Sequence, residues 1–293
     1  MNAGAAELGS VGDIFITNDA HRVAGPQRNG GVGKVLESLT LVAYNFPRFS
    51  SRGSSLRGGR IFAIILVKSS VKADSFRMKT IILNGWAASE RAWELCDCAK
   101  GPDARIVSYL EQMDGVAERV LDEAGKAIVV GWSMGGSRAL ALAMGSPKKI
   151  RGLVLIAATA RMMEAPNWKG MSERRLKALE VGLKMTHGEG FFGVPEGKPN
   201  PYMTDTDENL ARGLAYLRDT DLRLGLIDLL ASGKAKFPVK IFQSERDGIV
   251  RPENAKFLSA VFPEAEVEMV SGAEHALPIM IPDRIDAAVA SFR

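Results

Sequence analysis

A chain of 293 residues, 46% hydrophobic, has material for one large core with a small inserted domain, which excludes a fibrous or wholly disordered protein. Its net charge of +4 is carried by the leading segment: ten Lys and Arg against five Asp and Glu in residues 1–77 leave 28 basic against 29 acidic side chains in residues 78–293, so the main body lacks the basic footprint of a nucleic-acid-binding protein. The best apolar run, Ile61 to Val67, falls short of the roughly 20 residues that span a bilayer, and the only cysteines, Cys96 and Cys98, are too close for an ordinary disulfide and lack the second pair of a zinc site, so the expectation is a cytoplasmic monomer with no cofactor, metal, membrane or nucleic-acid partner.

Residues 1–60 are rich in Gly, Ser, Arg and Asn, with turn signals at Asn29-Gly30-Gly31 and Arg57-Gly58-Gly59 and no sustained period. Residues 1–77 therefore read as a disordered extension, or as sequence ahead of a true start at Met78. The competing readings are a transit peptide, against which Glu7, Asp13, Asp19 and Glu37 count, and an extra strand at 61–67.

From Met78 onward strands alternate with helical patterns, which predicts an α/β fold with a mostly parallel sheet covered by helices on both faces. The strands are placed at Met78–Leu83, Arg105–Tyr109, Ala127–Val130, Leu153–Ala157, Val239–Phe242 and Val267–Val270. Helices are placed at Val116–Ala124, Ala139–Met144, Ala255–Phe262 and Ile285–Phe292, with Pro252 in a first helical turn. Residues 161–236 interrupt the alternation. There Leu176, Leu179 and Leu183 form an apolar stripe and Arg174, Arg175, Lys177 and Lys184 a basic surface, so the segment reads as a helical cap between core segments 78–160 and 237–293.

The strand Lys126–Val130 runs into Gly131-Trp132-Ser133-Met134-Gly135-Gly136 and then a helix. This is a nucleophile-elbow pattern: small flanking residues permit a strained strand-to-helix turn that presents the serine hydroxyl. The helix N-terminus beneath it favours a developing oxyanion, with the Met134 N–H placed to donate. Past the next strands lie Asp247, in Glu245-Arg246-Asp247-Gly248, and His275, in Gly272-Ala273-Glu274-His275. Order, loop position and residue types agree with a Ser133–Asp247–His275 triad, in which the histidine takes and returns the serine proton and the aspartate fixes its tautomer. Glu245 is the rival acid; Asp247 lies farther past the strand, ahead of a glycine turn. The second oxyanion donor is expected from Asn84-Gly85-Trp86-Ala87, at the Trp86 N–H. Trp86 and Trp132 adjoin the site in sequence and are candidate walls of an acyl pocket, which Met162, Met163, Trp168, Met171, Phe191, Phe192 and Met203 of the cap would complete. Ordinary packing is the alternative for all of them.

With these residues in hand, the chain from Met78 to Phe292 resembles the α/β-hydrolase family, and within it the pimeloyl-acyl-carrier-protein methyl ester esterases of biotin synthesis. The likeness is carried by Asn84-Gly85-Trp86, the elbow, Glu274-His275-Ala276, and a run from Gly213 through Asp219-Thr220-Asp221 to Arg223. Asn84 stands where many such hydrolases have histidine. The resemblance implies an α/β-hydrolase fold with an inserted cap and an esterase that removes a methyl group from a carrier-bound diacid. An acidic acyl-carrier protein would be its partner, with Arg174, Arg175, Lys177 and Lys184 as its dock. Two other readings stay open. One is a lyase of menaquinone synthesis with a similar Ser-Met-Gly-Gly elbow, and the other is a non-catalytic ligand-binding member of the fold.

Overall fold

The computed structural model describes residues 79–186, 198, 200–203 and 205–293, together with the backbone of two strands in the leading segment. These strands, β1 (Ser38–Phe46) and β2 (Ile61–Ser69), pair antiparallel in register from Ser38 with Ser69 to Phe46 with Ile61. Both runs fall in residues 1–77, for which the sequence reading is an extension or sequence ahead of a start at Met78, with a strand at 61–67 as the competing reading. The run 61–67 lies within β2, whose partner strand is Ser38–Phe46.

The remaining elements follow one another as strand and helix. They are β3 (Thr80–Leu83), β4 (Ala104–Val107), α1 (Tyr109–Met113), α2 (Val116–Ala124), β5 (Ala127–Trp132), α3 (Met134–Gly145) and β6 (Ile150–Ile156). Then come α4 (Glu173–Thr186), α5 (Asp207–Asp219), α6 (Arg223–Ala231), β7 (Val239–Ser244), α7 (Glu253–Val261), β8 (Glu266–Val270), α8 (Leu277–Met280) and α9 (Pro282–Ser291). The six strands from β3 form one parallel sheet in the order β4-β3-β5-β6-β7-β8.

Strand periodicity builds the two core layers. Ile81 and Leu83 of β3, Val129 of β5, and Leu153 and Leu155 of β6 point to the face covered by α2, α3 and α7. The residues between them, Ile82, Ile128, Val130, Val154 and Ile156, point to the face covered by α8, α9 and Trp93. Every residue of β3 and β5 is buried, as strands covered on both faces must be. The order of strands reverses at β3, whose neighbours are β4 on one side and β5 on the other, and in parallel α/β sheets the crevice past the strand ends at such a point receives ligands.

The interruption expected at 161–236 lies between β6 and β7. Helices α4 and α5 form a cap packed through Leu176, Leu214 and Leu217 against Tyr109 and Met134 of the core. Helix α6 belongs elsewhere: its Leu226 and Leu229 join the layer of α2, α3 and α7.

Candidate active site

Backbone crowding shapes the turn between β5 and α3. A Cβ on Gly131 would lie 2.4 Å from the Gly135 carbonyl oxygen, and one on Gly135 would lie 2.0 Å from that of Leu83. Only glycine lets helix α3 start so close to the strands. Between them Ser133 sits at φ 57° and ψ −117°, outside the regions open to L-residues at no cost, a strain of about 1–3 kcal/mol held by the packing around it. The outcome is a hydroxyl raised clear of its own backbone at the C-terminal edge of the sheet.

His275 meets that hydroxyl from the loop after β8. Its Nε2 lies 2.8 Å from Ser133 Oγ and its Nδ1 2.8 Å from Asp247 Oδ2. The Asp247 side chain is fully buried. Its Oδ1 accepts the N–H groups of Ile249 and Val250 at 2.8 and 2.9 Å, and Gln243 Nε2 approaches Oδ2 at 3.4 Å. Burial pushes this carboxyl upward, but the charge and hydrogen bond of His275 and the two backbone donors outweigh it, so its pKa lies below the ordinary carboxylate value. Glu245, the rival acid, is exposed and accepts the Ser271 hydroxyl at 2.9 Å instead.

The expected oxyanion loop is braced by a network that sequence motifs did not reveal. Asn84 is fully buried, and its Oδ1 accepts from Gly85 N and from Trp93 Nε1, both at 3.0 Å. Its Nδ2 donates to the Ala88 carbonyl at 2.7 Å, and its own carbonyl accepts from Gln112 Nε2 at 2.9 Å. An asparagine at this position thus serves as the splint of the turn that ends in Trp86 and Ala87. The Trp86 indole donates to the Leu210 carbonyl at 3.0 Å, and α5 admits the ring only because its residue 213 is glycine, where a Cβ would come within 2.3 Å of Trp86.

Ser133 and His275 open into a cavity of about 630 Å³. Its wall is largely apolar, with Trp86 on the core side, Leu179 and Leu183 of α4 above, and Met162, Met203 and Met280 around them. Other candidates fall elsewhere. Trp132 is buried beneath the site, edge-on to Trp93 with ring centroids 6.4 Å apart, and its Nε1 donates to the His275 carbonyl at 3.0 Å. As the last residue of β5, Trp132 shares the face of Ile128 and Val130, which sends the indole into the core rather than the pocket. Met163 and Met171 are buried in the cap, and Trp168 packs edge-on against Phe257 at 5.2 Å. Phe191 and Phe192 lie outside the described residues.

The four basic residues expected to dock a carrier are not equivalent. Arg174 and Lys177 are exposed on α4. Lys184 is paired with Glu180 at 2.9 Å, and Arg175 reaches across to the Gly248 carbonyl at 2.8 Å, fastening the cap to the loop that carries Asp247. Among the described residues, no group of acidic, histidine and cysteine side chains forms a metal site, and no helix is long and apolar enough to cross a membrane.

Comparison with known proteins agrees with this architecture. Among curated proteins, the pimeloyl-[acyl-carrier protein] methyl ester esterase of Nitrosospira multiformis is 26% identical over 250 residues, covering 72% of this chain and 93% of that protein. The Serratia marcescens protein of the same name is 25% identical over 248 residues, covering 72% and 92%. Among solved structures, an esterase from Exiguobacterium antarcticum matches with a TM-score of 0.58 at 16% identity, covering 86% of this chain and 96% of that one. A bromoperoxidase from Bacillus anthracis matches with a TM-score of 0.56 at 14% identity, covering 87% and 99%; likenesses so remote, with such different names, speak for the fold alone. The model of the alpha/beta hydrolase family matches residues 38–289, and the chain belongs to that family.

Proposed function

We propose that the protein is a serine carboxylesterase whose substrate is the methyl ester of a pimeloyl chain carried by an acyl-carrier protein. The observation that carries the chemical part is the unbroken hydrogen-bonded chain from Ser133 through His275 to Asp247 at the floor of an apolar cavity. His275 Nε2 takes the Ser133 proton as Oγ attacks the ester carbon, and Asp247 holds the Nδ1–H tautomer and stabilises the imidazolium that forms. The proton then passes to the departing methanol, and a water activated by the same histidine releases the acid. The Ser133 N–H already donates to the Ile156 carbonyl at 2.9 Å, so the oxyanion is left to the Met134 N–H, in the unsatisfied first turn of α3, and to the Trp86 N–H. Trp86 and the cap leucines hold the acyl chain.

The finer assignment is supported by the names of the two curated relatives and by the exposed Arg174 and Lys177 of the cap, which offer positive charge to an acidic carrier. A fluorophosphonate should label Ser133, and methanol should appear in a burst on mixing with the carrier-bound methyl ester. Ser133→Ala should remove both, lowering kcat by on the order of 10⁶-fold. Complementation of a biotin auxotroph lacking this esterase tests the pathway: rescue by wild type and not by Ser133→Ala is expected, whereas rescue by both or by neither would refute the biotin assignment. Turnover with no acyl-enzyme would point to the lyase reading.

A further inference from the structure

The cavity over Ser133 carries little charge. Besides His275, its charged lining residues are Arg246 and Glu274, both exposed. Arg246 precedes Asp247 on the loop after β7, with its main-chain N–H held by Ser244 Oγ at 3.1 Å. Several arginines of the described residues face carboxylates: Arg161 and Arg223 share Asp221, and Arg218 pairs with Glu173. The Arg246 guanidinium, the one that lines this cavity, has no such partner among the described residues. Asp247 is turned inward to His275 and two backbone donors, and Glu245 holds the Ser271 hydroxyl. Glu274, on the same rim, is not paired with it either.

A guanidinium left without a counter-ion at the mouth of an apolar cavity is a ready receptor for an anion, and its planar fork matches carboxylate and phosphate oxygens. We propose that Arg246 sets substrate preference by holding an anionic group on the part of the substrate that lies at the cavity mouth, away from the scissile ester. The inference rests on the esterase reading and deepens it. The anion has two sources of the same chemistry: the phosphate of a carrier's pantetheine arm, or a free carboxylate at the far end of a diacid monoester. Glu274 opposes such an anion, so the two rim residues act with opposite sign.

The test uses the full chain and two substrate pairs. The first is a pair of p-nitrophenyl esters of equal length ending in methyl or in carboxylate. The second is a pair of methyl-ester thioesters on pantetheine or on 4′-phosphopantetheine. The readout is the ratio of kcat/KM for the anionic member to that for the neutral member. Arg246→Gln should lower the ratio roughly three- to tenfold, through KM rather than kcat. Arg246→Lys should retain most of it, Glu274→Gln should raise it, and added salt should lower it in the wild type. A response in the thioester pair identifies the phosphate as the natural anion, and one in the p-nitrophenyl pair the carboxylate. A ratio unchanged by Arg246→Gln in both pairs overturns the assignment while leaving the esterase reading intact. Failure of the wild type to hydrolyse even the neutral p-nitrophenyl ester overturns both.

Discussion

Asp247 and Glu245 are two residues apart on one loop, yet they are opposites in environment. Asp247 is buried, bonded to His275 and held anionic; Glu245 is in solvent with the Ser271 hydroxyl. Replacing Asp247 by Asn keeps the shape but offers His275 an amide, which favours the wrong tautomer, so kcat on a p-nitrophenyl ester should fall on the order of 10⁴-fold. Glu245→Gln should leave turnover near the wild-type rate, and a large loss there would reverse the assignment of the acid. The sequence pointed to Asp247 because loop position and the following glycine are local signals. What it hid were Gln243, Asn84 and Trp93, whose roles depend on partners brought together only by folding. Trp93→Phe removes the bond from Nε1 to Asn84 Oδ1, at about 1 kcal/mol, and leaves a void where the buried indole was larger than the phenyl ring. If that bond splints the oxyanion loop, kcat should fall with little change in KM, beyond the drop in thermal stability that the lost volume brings.

Legibility among the elements followed how local their causes were. Helix α2 was readable to the residue, Val116–Ala124, because glycines bracket an amphipathic run. The strand expected at Arg105–Tyr109 stops at Val107, since Ser108 caps α1 in a capping box with Glu111. That Ser-x-x-Glu signal was present but was overridden by the apolar run before it. Helices α5 and α6 were not separated from the rest of the cap, because their buried faces are defined by contacts far away in sequence, such as Gly213 against Trp86. The elbow, by contrast, was legible as a motif, and its glycines have a steric cause. A methyl on Gly135 has no flexible side chain to displace, only the main chain of Leu83 and Asn84. Gly135→Ala should therefore cost about 3 kcal/mol of stability, by denaturant unfolding, with loss of esterase activity in what remains folded.

At the scale of the whole hydrolase domain, the cap leaves the sheet after β6 and returns before β7, and the two ends of that excursion are clasped together. Leu222 N donates to the Ala160 carbonyl at 2.8 Å, and Arg161 Nη1 meets Asp221 Oδ2 at 2.6 Å. Arg223 adds its own bonds to both Asp221 oxygens at 2.9 and 2.8 Å. The hydrogen bond from Arg223, with that from Arg161, outweighs partial burial and holds the Asp221 carboxyl well below the usual carboxylate range. A carboxylate whose pKa is depressed by folding stabilises the native state above its unfolded value of about 3.9, and the contribution disappears as pH falls through the lower, folded value. Asp221→Asn should thus unfold more readily than wild type at pH 7, by roughly 1 kcal/mol given the partial exposure of the cluster. The gap between the two proteins should be constant from pH 7 to about 5 and narrow below about pH 4, as the wild type loses what the variant never had. Because the clasp sets where α4 and α5 lie over Ser133, the same variant should raise KM for long-chain esters more than for acetate esters. Denaturant titrations at several pH values, paired with chain-length kinetics, check both halves; a gap that widens in acid would show that Asp221 is not the anionic partner of these arginines.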